Sequence, residues 1–116
     1  MGAGSDEVRR WDDAVAAQPA VVRHAAEVGV RLLAGTDAGM VPHGLIAEEL
    51  RLLIEAGLEP QVALAAASWD ARAYFGLPAI EDGAPADLVV FAEDPRRVRP
   101  LPRPMVRILD GQLITS

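Results

Sequence analysis

One stretch of this chain asks for neighbours that the rest of the sequence does not offer. Val30 to Gly35, "VRLLAG", is a short apolar run without clean alternation. Such runs suit strands covered on both faces, as in parallel sheets. The other strand-like runs come much later, after Asp82: "ADLVVFAEDP", then "PMVRILDGQLIT", which reads as two short strands around Asp110-Gly111, a good hairpin signal. Three short strands do not close a sandwich, and none is an obvious partner for Val30–Gly35. The chain is therefore expected to be a piece of something larger.

The remaining elements read as helices. Asp6 to Ala17 has helical character, with Ser5 or Asp6 as N-cap. Gln18-Pro19 is expected to interrupt it, with Pro19 opening a second helix, "PAVVRHAAEVG". Val21, Val22, Ala25 and Val28 form its apolar stripe, and Gly29 ends it. After the loop "TDAGMVPHG" comes a strongly amphipathic segment, "LIAEELRLLIEAG". Ile46, Leu50 and Leu53 line one face, and Gly57 closes it. "EPQVALAAAS" starts another helix with Pro60 in its first turn, and "SWDARAYFGL" a further turn or two, closed by Gly76. The order is α, α, β, loop, α, α, α, then β, β, β. The first part reads as one αβα segment of a parallel α/β sheet.

Composition narrows the function. A length of 116 residues argues for one domain at most, less than half of the roughly 250 that a (β/α)8 barrel takes. The chain is 51% hydrophobic, which argues against disorder. A net charge of −6 disfavours nucleic acid, whose phosphates would repel it. The cluster Arg96, Arg97, Arg99 and Arg103 is interleaved with prolines and reads as a solvated loop. There is no cysteine, so no disulfide, thiolate metal site or Cys nucleophile can form, and a reducing cytoplasm fits. No apolar run reaches the ~18 residues of a membrane span. The start, "MGAGSDEVRR", lacks the apolar region of a signal peptide.

The candidate chemistry lies in "LLAGTDAGMVPHG". An apolar run ends in a Gly-flanked aspartate, Asp37, and His43 follows six residues later. Gly35 and Gly39 let the backbone turn sharply and leave room for a substrate. The bland reading is that Thr36 and Asp37 form a turn or cap the next helix. His43 has two open readings: a substrate contact or proton shuttle, or a loop histidine packed against a helix start. His24, mid-helix before the strand, reads as a surface residue away from that end. Glu48 and Glu49 point about 100° apart on a helix and read as a wet face. Trp69 is expected to pack where the terminal helix meets the strands. Asp87 is expected to make a turn or hold a backbone amide, and Asp110 to sit in the hairpin turn.

Taken in order, "AGTDAG", "PHG", "EELRLLIEAGLEPQVALAAAS", "ADLVVFAEDP" and "DGQLI" resemble the C-terminal part of the amidohydrolase superfamily, nearest to its imidazolonepropionase and prolidase-like branch. The resemblance covers roughly Val30 to Ile114. It implies an α/β fold, with residues 1–81 as the end of a TIM barrel (the last strand and following helices) and 82–116 as strands returning to a small β-sandwich. Asp37 would then be the metal-binding and catalytic aspartate, His43 and Gly39 substrate-binding residues, and the cofactor a divalent metal, zinc foremost. The reaction would be hydrolysis of a C–N bond in an amide, cyclic amide or peptide-like substrate. The chain departs from the pattern at Asp70, often Asn, and at Gly83-Ala84, often Gly-Lys. It also lacks the His-x-His pair and the carboxylated lysine: it has only two histidines and no lysine at all. A catalytic zinc needs about three protein ligands, so the missing ones would come from a complementary chain or an intact parent. Self-association is the other expected partnership. The alternatives are a non-catalytic interaction remnant, one half of a split enzyme, or a truncation.

Overall fold

The computed structural model describes residues 3–115. Met1, Gly2 and Ser116, which the sequence reading places at the outer ends of the two parts, lie outside the described residues. The chain runs through four helices, α1 (Ala3–Glu27), α2 (Ile46–Glu55), α3 (Pro60–Ala66) and α4 (Trp69–Tyr74). Three strands follow, β1 (Leu88–Val90), β2 (Val106–Leu109) and β3 (Gln112–Leu113). The strands form one antiparallel sheet in the order β1-β2-β3. Among the described residues no closed barrel forms.

Small corrections come first: α1 runs through Ser5 and Asp6 rather than being capped by them, and Val21 and Val28 of the expected stripe are exposed. Two expectations about whole elements also need correcting. The first is the helix break at Gln18-Pro19: α1 is a single helix with Pro19 inside it. Pro19 removes one helical hydrogen bond, which would have gone to the Val15 carbonyl. Val15 is exposed, so water can take that carbonyl, and the flanking alanines are strong helix formers. The second is the barrel strand. Val30–Gly35 is extended but joins no sheet. Two backbone hydrogen bonds tie it to helices: the Val30 N–H donates to the Ala25 carbonyl of α1 at 2.9 Å, and the Ala34 N–H to the Ala66 carbonyl of α3 at 3.0 Å. A strand is defined by its ladder, and no second strand lies beside this one.

The core forms where this ribbon meets the helices. Leu50, Leu58 and Ala63 are buried at 4%, 4% and 0% exposure, with Val22, Ala26, Leu32, Ala34, Leu53, Ile54 and Leu101 packed around them. Glycines end the helices as expected. Gly29, Gly57 and Gly76 all adopt the positive φ that a left-handed helix stop requires. Pro60 occupies the first turn of α3. Alanines at 56, 63, 65 and 66 are buried, so the helices approach closely without large side chains between them. Ile46 is exposed, so the buried face of α2 is Leu50, Leu53 and Ile54.

The core is nevertheless small. The radius of gyration is 17.2 Å, against about 13 Å for a compact chain of this length. The first half of α1 projects into solvent, with Trp11 at 68% exposure. Among the described residues no helix backbone lies close beside a strand, and Trp69, expected at such a junction, is 43% exposed. The hairpin matches its sequence: Asp110 and Gly111 both take positive φ, as a type I′ turn demands. The arginine cluster is solvated. Arg96 donates to Asp94, whose carboxyl it holds down at about 2 through side-chain and backbone hydrogen bonds.

Because the core has few large buried side chains, each one weighs heavily. Leu50→Ala should destabilise the chain by about 2–5 kcal/mol, enough to remove a cooperative urea transition. Val15→Ala, on the projecting part of α1, should change stability by less than about 0.5 kcal/mol.

Candidate functional site

The site is built by the ribbon and the loop after it. Burial alternates along the ribbon: Leu32, Ala34 and Thr36 are half-buried, while Arg31, Leu33, Gly35 and Asp37 face outward. The inward side chains lie on α2 and α3, tied there by the Ala34–Ala66 bond. The outward side, Arg31, Leu33 and Gly35, is open to solvent, with Leu33 at 37% exposure. One face of a two-faced strand is thus uncovered, and Asp37 continues that face.

Asp37 adopts a φ of +51°, one of two non-glycine residues with positive φ among those described. Its carbonyl accepts the N–H of Met40 at 3.0 Å and of Val41 at 3.4 Å, and the Gly39 N–H donates to the Val41 carbonyl at 3.0 Å. The chain therefore folds back within five residues. Gly39 takes a φ of +110°, and nothing lies within 4 Å of where its Cβ would stand. The loop reading of "TDAGMVPHG" holds, and its turn begins at Asp37 itself.

His43 stands on the same exposed loop, before Gly44 and α2. Among the described residues neither Asp37 nor His43 forms a side-chain hydrogen bond or ion pair. His24 is surface-exposed near the end of α1, with Glu27 at 3.9 Å, and does not join them. Glu48 is engaged by Arg51, which lowers its pKa, and Arg51 also reaches Glu55. These carboxylates form a helix-surface network. Among the described residues no group of three or more His, Asp or Glu side chains could hold a metal ion. The chain by itself does not fit a metal centre; it offers the single carboxylate of Asp37.

A concavity of about 400 Å³ lies elsewhere, between α2 and the proline-rich segment, lined by Arg51, Ile54, Glu55, Arg99, Pro100 and Leu101. Arg51 is taken up by glutamates and Arg99 by backbone carbonyls, so it is a mostly apolar cleft without catalytic groups. No helix among the described residues is long and apolar enough to cross a membrane.

One polar centre escaped the sequence reading. Asp87 holds the Asp110 N–H at 2.8 Å, as expected of it, but its other oxygen faces Arg72 on α4 at 3.5 Å. No spacing rule links a helical arginine to an aspartate fifteen residues on.

The turn at Asp37 separates two substitutions. Asp37→Asn should leave stability unchanged, because Asn tolerates the left-handed region. Asp37→Val should cost about 1 kcal/mol or more in urea denaturation, because a β-branched residue does not.

The profile of the amidohydrolase family matches residues 10–114. Proteins described as uncharacterized from Mycobacterium tuberculosis and Mycobacterium bovis are 48% identical over 77 residues, which cover 66% of this chain and 21% of theirs. The aligned part is thus about a fifth of those curated relatives' length. No solved structure matches the chain. With the family profile spanning nearly the whole sequence, the chain belongs to the amidohydrolase family.

Proposed function

We propose that this chain is a C-terminal segment of an amidohydrolase that hydrolyses a C–N bond in an amide, cyclic amide or peptide-like substrate, with Asp37 as its catalytic carboxylate. The observation that carries the reading is the position of Asp37 in a member of this family. It ends a ribbon that is covered on one face and open on the other, and it opens a tight exposed turn. Functional groups of (β/α)8 enzymes sit at such strand ends.

In this reading the ribbon is the last barrel strand, residues 1–81 are the end of the barrel, and 82–116 return to a β-sandwich. Asp37 takes a proton from the attacking water and returns it to the leaving nitrogen. Gly39 leaves space over the turn, and His43 contacts the substrate. The family generally uses divalent metals. Zinc is the ion we favour, and Asp37 would be one ligand to it, the others lying outside this chain. The open faces favour a working unit made with more polypeptide, either an intact parent or a complementary chain, and self-association of this chain when alone. The branch resembling imidazolonepropionase and the cytoplasmic setting belong to the same proposal.

The test is complementation. The chain alone should bind no stoichiometric zinc and hydrolyse no amide. Joined to polypeptide that supplies the other strands, it should turn over an amide substrate, and Asp37→Ala should reduce that rate by about 100-fold or more. Turnover by the isolated chain that vanishes in Asp37→Ala would show that it needs no complement. A complemented assembly indifferent to Asp37→Ala would remove Asp37 from the chemistry.

A further inference from the structure

Among the described residues no helix backbone runs close beside the three-stranded sheet, so helix–sheet layering does not set its direction. Register puts Leu88, Val90, Val106, Ile108 and Leu113 on one side of it, an apolar face. Two covalent crossings join the sheet to the helices: the linker from Phe75 to Asp87, and the segment from Phe91 to Met105, which sends Leu101 into the core.

The linker has little bonding of its own. Gly76 and Gly83 sit in it at positive φ, and its internal hydrogen bonds are short-range turns. Both its ends meet one guanidinium. Arg72, in the last turn of α4, donates from Nε to the Pro78 carbonyl at 2.5 Å, where the linker begins. Its Nη1 faces Asp87 Oδ2 at 3.5 Å, where the linker ends. Asp87 Oδ1 accepts the Asp110 N–H, which pins the hairpin tip to the same carboxylate. The Gly111 N–H, bonded to the Ala86 carbonyl at 3.0 Å, reinforces that grip. α4, linker and hairpin thus converge on Arg72 and Asp87.

We propose that the Arg72–Asp87 pair is a latch: it fixes the direction in which the sheet and its apolar face point, and releasing it lets the sheet swing as a unit about the glycine-containing linker. The two side chains are 25% and 26% exposed, so water reaches the contact and the latch can open without dismantling a core. An ion pair open to solvent is weak, which suits a contact meant to be released. The hairpin stays together when it opens, because its cross-strand bonds do not pass through Arg72. The inference is independent of the hydrolase reading.

The chain has no cysteine, which makes spin labelling clean. Labels at Gln61→Cys on α3 and Gln112→Cys on β3, both exposed, report the direction of the sheet by pulsed electron–electron resonance. The doubly labelled chain is diluted in unlabelled chain so that only distances within one molecule are read. A second pair, Ala47→Cys with Gln61→Cys, reports packing within the helices. The latch predicts a narrow Gln61–Gln112 distance distribution in the parent chain. Arg72→Gln and Asp87→Asn should each lose that narrow peak, and combining them should broaden it no further. The Ala47–Gln61 distribution should stay narrow throughout. A Gln61–Gln112 peak equally narrow in both variants would overturn the proposal. So would broadening of both pairs together, because Arg72 would then support the helices rather than aim the sheet.

Discussion

The structure turns on a ribbon of seven residues, Val30 to Thr36, that lies on the helices along one face and stays open along the other. An extended backbone carries donors and acceptors on both edges, and burying one unsatisfied costs about 1–3 kcal/mol. Here, among the described residues, only the Val30 and Ala34 N–H groups find partners on other elements, at Ala25 and Ala66. The ribbon therefore cannot be buried in this chain alone, and the core is confined to the face it shares with α2 and α3. The other features follow. The molecule is long for its mass, half of α1 has nothing to pack on, and the sheet hangs from the helices by a linker, a returning segment and an ion pair.

That constraint also frames the chemistry. A carboxylate at the end of the ribbon is held in a left-handed turn and faces solvent with no side-chain partner among the described residues. A lone exposed aspartate does no catalysis. In the proposed reading it becomes useful when other polypeptide brings further groups to the same end of the ribbon; the stretch aligned with the mycobacterial relatives is about a fifth of their length. The open face beside it, Arg31, Leu33 and Gly35, is where that polypeptide would have to lie.

Much of this was legible in the residues because local signals carried it. The glycine stops at 29, 57 and 76, the proline start at 60 and the Asp110-Gly111 turn each force a backbone geometry at one position, and the structure has them there. Asp37 stood out because glycines flank it after an apolar run. Two elements were misread for non-local reasons. Pro19 predicts a break, but an exposed helix can leave the freed carbonyl to water. "VRLLAG" predicts a strand, but pairing depends on neighbours, and the run describes the surroundings it was built for rather than those it has. Arg72 gave no signal, because its meaning depends on Asp87 arriving beside it through a loop.

Hydrogen exchange along the ribbon tests the central claim most directly. In the dilute chain the amides of Arg31, Leu32, Leu33 and Gly35 should exchange fast, while Ala34 and the interior of α2 are protected, and any added protection should grow with concentration as copies associate. Slow exchange of all six ribbon amides from Val30 to Gly35, matching α2 and independent of concentration, would mean that the chain completes its own sheet and that nothing is missing from it.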